Sequence, residues 1–126
     1  MSDFVDNSED FFYLEEVIRE LDQGWTTGEM CNDVGKCLVG AGAVVDGWQF
    51  MTEQEWNDLQ ALNDALFENV YRAQSFFEEQ AAEKLGRILQ IDSSWSAVTH
   101  FNDSHQTYEE LRPKLVKRLE ELKSGD

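Results

Sequence analysis

The sequence predicts an all-α protein. Three observations predict it: apolar residues recur at steps of three and four, three Thr-x-x-Glu helix-start signatures occur, and proline appears once, at Pro113. No run reads as a strand. The expected architecture is a compact bundle of four main helices plus one short helix, with one long central helix over about 53–90. A chain of 126 residues with no low-complexity linker or internal repeat is read as a single helical domain, 1–126.

The first helix is expected over 9–22. Phe11, Leu14, Ile18 and Leu21 share one face, with Val17 beside them. Ser8 supplies a cap, acids fill the first turn, and Gly24 stops the helix. A second helix is expected over 27–45, opened by the pair Thr26 and Glu29 and carrying Met30, Val34, Cys37, Leu38 and Ala41 on one face. Its end, Gly40-Ala41-Gly42-Ala43-Val44-Val45, is helix with a loose end or, as the alternative, a short strand at 43–45. The two glycines permit close approach by a neighbouring element.

The clearest signal follows Thr52 and Glu55. Trp56, Leu59, Leu62, Leu66, Val70, Ala73, Phe77, Ala81, Leu85 and Ile88 recur at steps of three and four. Phe67, Tyr71, Phe76 and Leu89 widen the stripe beyond a coiled-coil seam, so it reads as a core helix about 55 Å long. The alternative is a break near Gln74–Ser75. Trp95, Val98 and Phe101 form a one-sided trio that suits a short helix within 93–104. Thr107 and Glu110 open the last helix, whose core face is Leu111, Leu115, Leu119 and Leu122.

Charge narrows the function. The chain holds 26 Asp plus Glu against 10 Lys plus Arg, a net charge of −16. Its aromatic fraction of 12% separates it from disordered acidic tails, so the charge decorates a folded body. Residues 1–63 carry 14 acids and 2 bases, net −12; residues 64–126 carry 12 acids and 8 bases, net −4. Such a balance argues against direct nucleic-acid binding and against docking on an anionic membrane, because both need positive charge. The segment Met1-Ser2-Asp3-Phe4 lacks the basic and apolar regions of a signal peptide, and no stretch is long and apolar enough to span a bilayer. The expected location is cytoplasmic, in bacterial or phage-infected cytosol, with Cys31 and Cys37 as free thiols. The sequon Asn102-Asp103-Ser104 has no meaning there.

No chemistry-bearing motif emerges, so the chain is expected to be no enzyme and to hold no cofactor or metal. Neither His100 nor His105 has a Glu three residues before it, which excludes the Glu-x-x-His pairs of a bundle di-metal site. Asp92 to Asp103 has the length of a calcium loop, but Ala97 stands where glycine is needed. Cys31, Cys37, His100 and His105 lack zinc-knuckle spacing. Adjacent carboxylates such as Glu78-Glu79 diverge by about 100° on a helix and share no site.

The expectation is therefore a binding protein. Acids at i and i+4 stand about 5–6 Å apart on a helix, so a row of them imitates a strand of phosphates at reduced density. Candidate rows are Asp3, Asp6 and Asp10; Glu9, Glu16 and Glu20; Glu29 and Asp33; and Asp46, Glu53, Asp58, Asp64 and Glu68. Among the four tryptophans, Trp25 and Trp48 lie in Gly-flanked turns of the acidic half. The predicted partner-binding residues are Glu16, Glu20, Trp25, Glu29, Asp33, Asp46 and Trp48. In size and charge the chain resembles small acidic phage inhibitors and toxin-immunity proteins. That resemblance implies an anti-defence protein, DNA mimic or immunity protein acting on a basic partner: a nuclease, a toxin or a nucleic-acid-binding complex. The alternative is an accessory subunit of a helical homo-oligomer, a homodimer included.

Overall fold

The computed structural model describes residues 8–32 and 34–124. Six helices follow one another: α1 (Ser8–Gln23), α2 (Leu38–Val45), α3 (Glu53–Leu62), α4 (Asp64–Leu89), α5 (Trp95–Asp103) and α6 (Tyr108–Lys123). The predicted all-α class holds. Among the described residues the only β features are two isolated bridges, Trp25 with Lys36 and Cys31 with Lys36.

Helix α1 buries Leu14, Val17, Ile18 and Leu21, the face that its spacing predicts. Each such side chain contributes roughly 1.5–3 kcal/mol on leaving water. Helix α6 packs on α1 and buries Leu111, Leu115 and Leu122. Its start is held by the Glu110 carboxylate, which accepts from the backbone N–H groups of Gln106 and Thr107 at 3.0 and 3.1 Å.

The predicted helix over 27–45 is only half present. Residues 24–37 form a closed loop, and the helix begins at Leu38. Asn32 explains the difference. Its Nδ2 donates to Thr26 Oγ1 at 3.1 Å and to Glu29 Oε2 at 2.6 Å, occupying both side chains of the expected capping box. Its Oδ1 accepts from the backbone N–H of Val34 at 2.9 Å and of Gly35 at 3.2 Å, which turns the chain. Val34, expected on the core face, is 70% exposed. Backbone bonds from Thr26 N to Lys36 O and from Lys36 N to Gly24 O, each 3.0 Å, close the loop.

Helix α2 is capped by the Cys37 thiol, whose Sγ accepts from Gly40 N at 3.4 Å. Every residue from Leu38 to Ala43 is buried, and 43–45 is helix, so the strand alternative fails. The glycines do what close approach requires. A Cβ on Gly40 would stand 1.9 Å from the Met30 carbonyl oxygen, and one on Gly42 would stand 2.9 Å from Ala81 Cβ. Small residues on both helices thus let α2 lie against α4.

The long helix is broken, at Asn63 rather than near Gln74–Ser75. Asn63 takes an extended conformation and its side chain accepts from Leu66 N at 3.0 Å, making it the N-cap of a new helix. Ahead of it, Thr52 and Glu55 form the predicted capping box of α3. Helix α3 packs against α4 and buries no residue. The buried residues of α4 are Ala81, Ala82, Leu85, Gly86 and Ile88, all in its last third. The core is therefore built from α1, α2, the end of α4, α5 and α6. From Val44 to Gln80 not one residue is buried.

Asn102, fully buried at the end of α5, ties the loop to the bundle. Its Oδ1 accepts from Trp25 Nε1 at 2.8 Å and from Leu38 N at 3.1 Å. Its Nδ2 donates to Thr26 O at 3.1 Å and to Asp103 Oδ1 at 3.0 Å. The sequon asparagine is thus a structural residue out of reach of solvent.

Candidate functional site

The acids divide into those paired inside the chain and those that face solvent alone. Helix α1 holds most of the first group. Asp10 pairs with Arg87 at 3.0 Å, Glu16 with Arg19, Glu20 with Lys36 at 3.5 Å, and Asp22 with Arg112 at 2.8 Å. The Asp22 pair is a two-pronged fork, from Arg112 Nε and Nη2, with the Tyr108 hydroxyl donating to the same carboxylate at 2.6 Å. The guanidinium beside it holds the Asp22 carboxyl below the usual aspartate value, and burial plus Asp22 raises the Tyr108 hydroxyl. The basic C-terminal helix therefore neutralises part of the acidic first helix.

Asp46 belongs to the same group. Its Oδ1 accepts from Lys84 Nζ at 2.7 Å, while Oδ2 and the nearby Tyr13 hydroxyl are buried without a hydrogen-bond partner. Burial and then the Asp46 charge push the Tyr13 hydroxyl above the ordinary tyrosine range.

Of the predicted binding residues, Glu16, Glu20 and Asp46 are ion-paired within the chain. Glu29 is exposed and bound by Asn32 in the loop. Trp25 is half-buried, stacked on Tyr108 with ring centroids 6.2 Å apart, and spends its N–H on Asn102. Trp48 is half-buried against Phe77, centroids 5.3 Å apart. Asp33 lies outside the described residues, as do Asp3 and Asp6 of the first candidate row. Of the six that are described, the loop holds Trp25 and Glu29, α1 holds Glu16 and Glu20, and Asp46 and Trp48 follow α2.

The second group is spread over several helices, with Glu9 and Glu15 on α1 and Glu109 and Glu120 on α6 among it, and its longest stretch nearly free of bases spans α3 and α4. Glu53, Asp58, Asp64 and Glu68 are exposed and enter no ion pair among the described residues. Between Trp48 and Gln80 there are seven acids, Glu53, Glu55, Asp58, Asp64, Glu68, Glu78 and Glu79, against the single base Arg72, which gives net −6. Large apolar side chains share this surface. Leu62 is 78% exposed, Leu66 43%, Tyr71 54% and Phe76 59%. Trp56 meets Phe67 edge-on at 5.4 Å between centroids, and both stay half-buried.

Sequence reasoning placed these apolar residues in the core. The signal that separates them was available in Asn63-Asp64, an N-cap followed by a first-turn acid inside the supposed continuous helix.

Among the described residues no group of three or more His, Cys, Asp or Glu side chains is arranged to hold a metal ion, and no helix is long and apolar enough to cross a membrane. Both cysteines are free; Cys37 is buried, which pushes its thiol up to about 11. No protein-family model, curated protein or solved structure matches the chain.

Proposed function

We propose that this chain is a non-enzymatic acidic binding protein that docks on the basic, nucleic-acid-binding surface of another protein and inhibits it, in the manner of a DNA mimic, an anti-defence protein or a toxin-immunity protein. The observation that carries the reading is a set of four carboxylates, Glu53, Asp58, Asp64 and Glu68, that are exposed and enter no ion pair among the described residues. Acids already bound to Arg or Lys in the same chain offer a partner little net charge. This set keeps its charge and stands in water, where it steers a cationic surface into contact and pairs with it on docking. The binding face of this proposal is therefore α3 with the first turns of α4, and α1 is its support.

The test is charge reversal. A variant carrying Glu53→Lys, Asp58→Lys, Asp64→Lys and Glu68→Lys changes only exposed positions, so it is expected to keep its fold by circular dichroism. The wild-type chain is expected to capture, at low salt, a protein that duplex DNA competes away, and to release it near 1 M salt, where the screening length is about 3 Å. The variant is expected to capture none of it. Capture that survives both high salt and charge reversal refutes the proposal.

A further inference from the structure

We infer that the surface between Trp48 and Gln80 is an apolar seam that receives an amphipathic helix of a partner protein, one whose apolar stripe is flanked by Lys and Arg. The inference rests on the binding-protein reading above and adds the shape and chemistry of what is bound.

The seam is a continuous piece of the stripe that, further along α4, forms the core. On α4, Leu66, Val70, Ala73 and Phe77 follow one another at steps of four, three and four, in phase with buried Ala81, Leu85 and Ile88. The C-terminal part of that face is covered by α2 and α5. The N-terminal part is covered in part by α3 and Trp48, and every residue there remains at least partly exposed. Leu62 and Leu66, on either side of the Asn63 break, and Phe76 further along leave large apolar surfaces in water. A helix pair that is apolar along one side and incompletely covered is the geometry that helix-in-groove recognition uses.

Charge decides what covers it. A second copy of this chain would bring another net −6 segment against the first, and like charges brought together at an interface oppose association. A helix with basic flanks answers the apolar stripe and the net −6 of the segment that carries it. An acidic or neutral amphipathic helix answers only the first.

The experiment uses the full chain and two synthetic peptides of the same Leu and Lys composition, each long enough for about five helical turns. One is amphipathic and the other is scrambled to spread leucine around the helix. Binding is read by calorimetry and by fluorescence of the tryptophans, with sedimentation velocity for the mass of the free chain. The wild-type chain is expected to sediment as a monomer. It is expected to bind the amphipathic peptide one to one, at least about tenfold more tightly than the scrambled one. The double variant Leu62→Asn, Leu66→Asn, altered only at exposed positions, is expected to lose that preference and keep its melting temperature. Equal affinity for the two peptides, or a preference untouched by the double variant, overturns the seam and leaves the charge-based proposal standing. A dimeric mass that the double variant dissolves also overturns it, because a second copy then occupies the seam. Failure of both peptides to bind even at low salt defeats the inference and the charge-based proposal together.

Discussion

Replacing Asn102 with alanine tests whether the loop over 24–37 is fastened to the bundle as its hydrogen bonds indicate. The side chain is fully buried and makes four bonds: two accepted, from Trp25 and Leu38, and two donated, to Thr26 and Asp103. Alanine removes all four. The Leu38 N–H loses its partner at a residue with no exposure, so it bears the desolvation cost of an unsatisfied buried donor, about 1–3 kcal/mol. Trp25 and Thr26 are half-buried and regain some hydration, so about 1 kcal/mol each is a fair figure. Asp103 is exposed and contributes little. The expected loss is therefore about 3–5 kcal/mol, a large share of the roughly 5–15 kcal/mol that holds a domain together. Urea unfolding followed by tryptophan fluorescence measures it, with an unchanged slope showing that the two states are the same. The isosteric Asn102→Asp separates packing from bonding. It keeps the shape, loses both donated bonds and sets a second carboxylate beside Asp103, so at neutral pH it is expected to be at least as damaging as alanine. A loss below about 1.5 kcal/mol for both variants would refute the reasoning, because a single neutral hydrogen bond accounts for that much.

Two further outcomes follow from the packing and the charge pairs. Gly40→Ala puts a Cβ within 1.9 Å of the Met30 carbonyl oxygen, a backbone atom that cannot swing aside, and is expected to lower the urea midpoint by the equivalent of about 1–3 kcal/mol despite alanine's better helix propensity. The Asp22 carboxyl is held below its ordinary value of 3.8, so its pairing stabilises the fold fully above that pH and ceases to as the pH falls through the lowered value. Because the pair is exposed, Arg112→Ala is expected to cost under about 1 kcal/mol at pH 7 and less as the pH falls through the lowered value, when wild type and variant are compared in urea at each pH.

The fold class and most helix faces were legible because they depend on local spacing. The buried faces of α1 and α6 are the ones their spacing predicts, and the Thr52–Glu55 box is present. The loop over 24–37 was not legible from the Thr26–Glu29 pair alone. The same two side chains that would cap a helix were taken by Asn32, whose amide offers a competing set of bonds three and six residues away. A capping signature states what a turn can do, and a neighbouring Asn or Gly decides whether it does so. Asn102 shows the converse. Nothing in its local sequence marks it, because its partners lie 64 to 77 residues away along the chain, apart from Asp103.

Folding redistributes the charge for a related reason. Counted by halves of the chain, the acid collects in residues 1–63 at net −12 and points to α1. Folding brings Arg87 and Arg112 from the other half onto that helix, beside Arg19 and Lys36 from its own. The charge left after internal pairing is spread over several helices, and the stretch least offset by bases is α3 with the first part of α4. The same ground carries the uncovered apolar stripe. Helical periodicity identifies a face that leaves water but is silent on what covers it, so the covered and uncovered parts of the stripe look alike in sequence. The carboxylates of α3 and α4 keep a segment with exposed Leu62 and Leu66 soluble in the free protein. They also repel any covering surface of their own sign, so the partner that buries the face has to bring the opposite charge.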